Sequence, residues 1–318
     1  MFTSILSHPR SLALRILLPR TVTIAFLSVF TLCSFQCTKR ESGSHSGDGN
    51  ADMGGKNTSL SRVHLPAQLM VFGEVVPLDI AEVQERCERE LYLNLQTPGQ
   101  LVLHIKRSGR YFELFSTLAK EMGVPADVQY LSVAESALFM TRSQKDAVGL
   151  WQFMEGTARS YGLRIDDYVD ERKHVEKSTR AAFHYLKDAY RMFGSWTLAA
   201  AAYNMGMEGV RSAMESQHTT TYFDTYLNDE TSRYVPRIAI IKEIMEHGDR
   251  YGIMVPPDRL YSPAVGRKVV VNSPIPSLSS WAEQRKCSYK DLKLCNPWIL
   301  GSSLPHGRWE IFVPEKRS

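Results

Sequence analysis

Glu135 lies in the run Tyr130-Leu-Ser-Val-Ala-Glu135-Ser136-Ala137, beside the small or apolar Val133, Ala134 and Ala137. Against an apolar wall the charged form of a carboxyl is disfavoured, so its pKa rises and it can donate a proton near neutral pH. Breaking a glycosidic bond is one reaction that needs such a donor. Taken alone, the residue reads more simply as a surface glutamate near a helix end. By chemistry alone the chain also offers Tyr203, a hydroxyl beside the amide of Asn204 at a helix end. A second acid is harder to find. Asp146, Asp166, Asp167 and Asp170 are available by type, but their surroundings read as solvated loops. The nine histidines are scattered, with no HExxH, and the five cysteines include no CxxC pair, so neither a metal site nor another cofactor is expected.

These side chains need helices to hold them. Apolar residues at Ile80, Val83, Cys87, Leu91 and Leu95 have helical spacing over 79–95, and Pro98 breaks the run. A second helix is predicted through Tyr111–Leu118, stopping at Gly123, and a short third opens after Pro125 with Val128, Leu131, Ser132 and Glu135 on successive turns. Further helices are predicted over 176–193, ended by Gly194, over 196–203, capped by Ser195, and over 230–247. No strand alternation stands out between 79 and 250, and 61–76 reads as irregular. The tail differs. A strand candidate at 268–272, helices at 278–286 and 289–294 and a strand at 309–313 predict a small βααβ unit after a Pro-marked linker. The fold class is therefore mainly α: a helical domain plus a small βααβ domain.

Composition narrows the partners. A 43% hydrophobic fraction over 318 residues supports one sizeable core and a small one. The net charge of +4 carries no basic block, so nucleic acid is not an expected partner. Arg10, Arg15 and Arg20 precede the apolar run 21–32, which is shorter than the roughly 20 apolar residues of a spanning helix and reads as a secretory leader. Cys37 ends it, and a Ser/Gly/Asp/Lys-rich stretch follows. Lipidation at Cys37, with anchoring to a membrane, and ordinary cleavage nearby are both open readings. The layout is a leader over 1–37, a tether over 38–65, a helical domain with an N-terminal extension over 66–252, a linker over 253–264 and the small domain over 265–318.

Four blocks stand in order: Glu135-Ser136-Ala137; Gly149-Leu-Trp-Gln-Phe-Met154 with Gly156-Thr-Ala-Arg159; Ala202-Tyr203-Asn204; and Glu230-Thr-Ser-Arg-Tyr-Val-Pro236. With Ser178–Ala182 between them, they resemble the catalytic domain of the soluble lytic transglycosylase (SLT) family, over residues 120 to 250. The resemblance implies a lysozyme-like fold and a cell-envelope enzyme acting on peptidoglycan glycan strands. In that family a single acid suffices. The C6 hydroxyl of N-acetylmuramic acid attacks its own C1, assisted by the 2-acetamido group, and a 1,6-anhydro end results without water. Glu135 is then the acid/base. Tyr203 hydrogen-bonds it, and Ser136, Ser143, Gly149, Gln152, Met154, Asn204 and Glu230 contact substrate or border its site. Glu230 could instead simply belong to a helix N-terminus. The loop Ser143-Gln-Lys-Asp146 departs from the family pattern and puts Asp where a glycine angle is expected.

The rival readings are a hydrolytic muramidase on the same scaffold, a chitin-directed enzyme, and a non-catalytic peptidoglycan binder. The tail resembles a LysM peptidoglycan-binding module, through Ser277–Ala282, Tyr289–Leu294, Asn296-Pro297 and 304–314. Trp298 and Trp309 could stack on sugars or fill its core. Cys287 and Cys295 could be buried thiols or a pair.

Overall fold

A computed structural model describes residues 63–315. The leader, most of the tether and Cys37 lie outside the described residues.

The helical stripes appear where their periodicity places them. Helix α1 (Ala81–Leu95) buries Val83, Cys87, Leu91 and Leu95, one residue per turn. Burial pushes the Cys87 thiol up to about 12, so it is an inert core residue. Helix α2 (Pro98–Met122) starts well before the predicted segment. Pro98 occupies its first turn, where a missing N–H costs nothing, so it begins this helix as well as ending the last. Helix α3 (Val128–Ser136) follows, then α4 (Glu155–Ser160), α5 (Val175–Phe193) and α6 (Trp196–Met205). Leu198 through Ala202 of α6 are all buried, since four alanines let neighbouring helices approach closely. Helix α7 (Met207–Gln217) was not anticipated; Val210 is its one buried residue, so its sequence carries no apolar stripe.

Helix α8 (Asp229–Glu246) packs against α1, α3 and α6. It carries Pro236 in its interior, which cannot donate to the Ser232 carbonyl. Arg86 of α1 reaches across and donates to that carbonyl instead, at 3.2 Å. The orphaned acceptor is thus satisfied by tertiary contact.

The segment before α1 is not irregular. Strands β1 (Leu69–Val71) and β2 (Glu74–Val76) form an antiparallel hairpin. Its turn, Phe72-Gly73, has φ of 57° and 81°, the left-handed pair that a two-residue hairpin needs. Glu74 then caps α6, accepting the Trp196 N–H at 2.5 Å and the Thr197 hydroxyl at 2.7 Å.

In the tail, β3 (Gly266–Val271) and β4 (Trp309–Pro314) pair antiparallel around α9 (Leu278–Gln284) and α10 (Tyr289–Cys295), with Val269 opposite Ile311. Buried Asn296 exchanges two hydrogen bonds with the Phe312 backbone, at 2.7 and 2.9 Å, standing in for a strand neighbour. Cys287 and Cys295 are half-buried and are not bonded to one another. Trp298 and Trp309 are 4% and 3% exposed and stack on one another, which corrects the sugar-stacking reading. The described residues form two hydrophobic cores. One runs through the helices from Val63 to Ile253, and the other fills the tail unit.

Candidate active site

Glu135 stands in the last turn of α3, and the helix ends abruptly behind it. Ala137 and Leu138 both hold a left-handed backbone, φ 54°, which L-residues seldom do in succession. Hydrogen bonds hold this ending in place. The Ala137 N–H donates to Val133 at 2.8 Å, and Arg107 of α2 donates to the Ala137 carbonyl at 3.0 Å. The carboxyl opens into a cleft lined by Gln152, Phe153, Met154, Thr157, Tyr185, Tyr203 and Gly206. Burial pushes its pKa from 4.5 up to about 7. A Tyr234 hydroxyl bond to Oε1 and the Arg237 guanidinium pull it down, and the charge of Glu230 pushes it up. The group is therefore partly protonated at neutral pH, as a general acid must be.

Tyr203 lines the same cleft but does not bond the carboxyl. Its hydroxyl donates to the Trp151 carbonyl at 2.7 Å. The reason is local. The Trp151 ring is fully buried between Phe115 and Phe183, with its N–H on Thr179, so its carbonyl is fixed and needs a donor. The residue that grips Glu135 is Tyr234, which went unrecognised in sequence although it belongs to the fourth block. One signal was available: Tyr234 lies one helical turn after Glu230, on the same face. Burial and the Glu135 carboxylate hold both tyrosines well above the usual 10, so each remains a donor.

The other expected residues divide. Gln152 and Met154 line the cleft. Gln152 holds φ 49° and donates to the Gly149 carbonyl at 2.8 Å. Ser136 was expected on substrate; instead it is buried, its hydroxyl shared between the Ser132 and Leu150 carbonyls at 3.0 and 2.8 Å, so it ties α3 to the cleft loop. Ser143 is not among the lining residues. Its Oγ accepts the Lys145 and Ala147 N–H groups and shapes the loop, in which Asp146 holds φ 66°. Gly149 (φ 90°) is placed by packing: a Cβ there would lie 2.1 Å from the Arg172 carbonyl oxygen. Asn204 is buried and accepts the Thr231 hydroxyl at 2.7 Å, joining α6 to α8. Glu230 sits in the first turn of α8, where an anion is favoured, and also acts on Glu135. None of Asp146, Asp166, Asp167 and Asp170 lines the cleft. Asp166 pairs with Arg164, and buried Asp170 with Arg172.

The helices around this half-buried acid point to a class of protein. Residues 116–224 match the family model for the transglycosylase SLT domain, and residues 267–317 that for the soluble lytic transglycosylase C-terminal LysM-like domain. The chain thus carries an SLT domain of lysozyme-like fold followed by a LysM-like domain. It is 30% identical over 219 residues to membrane-bound lytic murein transglycosylase D of Escherichia coli K12, and equally to that of E. coli O6:H1. Each match covers 67% of this chain, and the chain spans about half (48%) of the length of these curated relatives. A solved structure, an inactive mutant of the lytic transglycosylase Slt from Pseudomonas aeruginosa, aligns over 47% of this chain and 26% of its own, at 22% identity and a TM-score of 0.34.

Proposed function

We propose that this protein is a lytic transglycosylase of the bacterial cell envelope, cleaving the β-1,4 bond between N-acetylmuramic acid and N-acetylglucosamine in peptidoglycan. The observation that carries the reading is the Glu135 carboxyl, held near pKa 7 by burial and gripped by one tyrosine at the wall of a cleft. Glu135 gives its proton to the leaving glycosidic oxygen as the C1–O4 bond breaks. Its carboxylate then takes the proton of the C6 hydroxyl as O6 bonds to C1. The products are a free 4-hydroxyl and a 1,6-anhydromuramoyl end; no water is consumed, and Glu135 ends protonated. Because the nucleophile is in the same sugar, much of the entropic barrier of a two-body step is absent. Gln152 and Met154 contact the muramoyl sugar, and Tyr203 holds the loop that presents them. Among the described residues that line the cleft, Glu135 is the one acid, which favours this route over one using water.

The same reading assigns 1–37 as an export leader with Cys37 as lipid acceptor, 38–65 as tether, 66–252 as catalytic domain, 253–264 as linker and 265–318 as wall-binding domain. Protein partners are not part of it. Its test is mass spectrometry of purified peptidoglycan digested by the protein and by Glu135→Gln. Anhydro-ended muropeptides, absent with the variant, are expected. Reducing ends would mean that water is the nucleophile, and intact wall with binding retained would mean a scaffold.

A further inference from the structure

The C-terminal module is attached to the helical domain by far more than chain connectivity. The linker that leads into it is itself pinned on α2. The Tyr261 N–H donates to the Lys106 carbonyl at 2.8 Å, and the Tyr261 ring lies beneath Lys106 and Arg110. Gly109 makes room for it: a Cβ there would meet Leu260 Cβ at 2.8 Å and the Tyr261 carbonyl oxygen at 2.9 Å.

The module's own attachment is the segment 164–173. Val169 is fully buried, and its neighbours are the core residues of the C-terminal module rather than those of its own domain. The backbone pairs on both sides of it. The Asp170 N–H donates to the Trp298 carbonyl, and the Leu300 N–H to the Tyr168 carbonyl, each at 2.8 Å. Around this plug, the Trp298 ring packs on His174, Arg164 lies 4.7 Å from the Trp309 ring centre, and Lys268 reaches Glu176 at 2.8 Å.

The same segment is joined to the cleft. Asp170 and Arg172 form a buried two-pronged pair, at 2.9 and 2.8 Å. Arg172 also donates to the carbonyls of Asp146 and Phe153, at 3.1 and 3.3 Å, and its own carbonyl presses on Gly149. Those residues belong to the loop that supplies Gln152, Phe153 and Met154 to the Glu135 cleft. A buried ion pair with four of the five guanidinium N–H donors used has few alternative arrangements, so a displacement at Asp170 is passed on to the loop. A wall-binding bead on a loose string would need no such joint.

We infer that the C-terminal module is a structural part of the catalytic unit, and that Val169, Asp170 and Arg172 are positioning residues through which its docking shapes the Glu135 cleft. The turnover readout below rests on the transglycosylase reading; the exchange readout does not. The test uses the full chain with Val169→Asp, which puts a carboxylate into the C-terminal core from outside it. Hydrogen exchange of the 142–154 backbone is expected to quicken about tenfold or more, together with that of 164–173. On a soluble two-disaccharide glycan, which gives the module no wall to grip, kcat should fall about tenfold with KM little changed. Lys268→Glu is the second variant. It sets like charges against Glu176 and Glu310 at an exposed rim and leaves both cores intact. It should show the same pattern more weakly, and it decides the matter if Val169→Asp does not fold. Unchanged exchange over 142–154 in a variant whose module has come loose would overturn the inference. So would an effect confined to KM on whole wall. If neither protein turns over glycan, the exchange result still stands, and the transglycosylase reading alone fails.

Discussion

Replacing Tyr234 by Phe removes one buried hydroxyl from beside Glu135 and nothing else. That hydroxyl donates to Glu135 Oε1, a bond that favours the ionised carboxylate and so lowers its pKa. The burial that raises the pKa is untouched by the change. Deleting the bond must therefore move the Glu135 pKa upward. A hydrogen bond to a charged group contributes about 1.5–3 kcal/mol, and a pKa unit corresponds to about 1.4 kcal/mol, so the value should climb from about 7 to roughly 8–9. The proton-donating form then persists to higher pH, and the alkaline limb of kcat/KM shifts with it. The peak rate should nonetheless fall about tenfold to a hundredfold, because the carboxyl is no longer held in one orientation. Tyr203→Phe is the comparison. Its hydroxyl serves the Trp151 carbonyl, so its loss should cost about 1–2 kcal/mol of stability and leave the limb in place. The assay is a pH–rate profile on soluble glycan, with carbon NMR titration of labelled Glu135 as a readout free of turnover. If the limb moves in Tyr203→Phe and stays in Tyr234→Phe, the assignment of the two tyrosines is wrong.

Two further predictions follow from the same site. Because the folded pKa of Glu135 is raised above the unfolded 4.5 to about 7, ionising it costs stability as pH rises through that window. Glu135→Gln should thus be more stable than the parent by about 3 kcal/mol at pH 8, and the gap should vanish below pH 4; denaturant melts at both pH values check it. Gly149→Ala forces a Cβ into the Arg172 carbonyl at a φ of 90°, which should cost at least about 3 kcal/mol. Its thermal midpoint is the measurement, and a midpoint equal to the parent's would show that the close approach is not real.

Much of the fold was legible because its causes are local. Val83, Cys87, Leu91 and Leu95 recur at the helical period, and Gly123 and Gly194 end their helices in left-handed backbone. The βααβ order of the tail has local causes too, in the Val-rich run of β3, the Trp309–Pro314 strand and the Ser277 and Ser288 caps of its two helices. The hairpin at 69–76 escaped because its turn residue is Phe72, a type that rarely holds positive φ. Helix α7 escaped because a mostly exposed helix writes no stripe.

Within the site, the sequence by itself put Glu135 in small apolar company, where a carboxyl can keep its proton, and its place among four ordered blocks marked it as the candidate acid. It also supplied Tyr203, Gln152 and Met154 as companions, while Tyr234 stood unremarked in the fourth block. Which tyrosine grips the acid was a matter of tertiary structure alone: Tyr234 arrives from 99 residues away on α8, while Tyr203 turns to a backbone carbonyl. The same holds for Arg86 beneath Pro236, and for Val169, an ordinary loop valine by sequence that completes the core of the other module. Helix periods and caps depend on neighbours within a few residues of backbone. Pairings across helices and modules depend on which surfaces pack together, and one side chain's spacing along the chain carries no record of that.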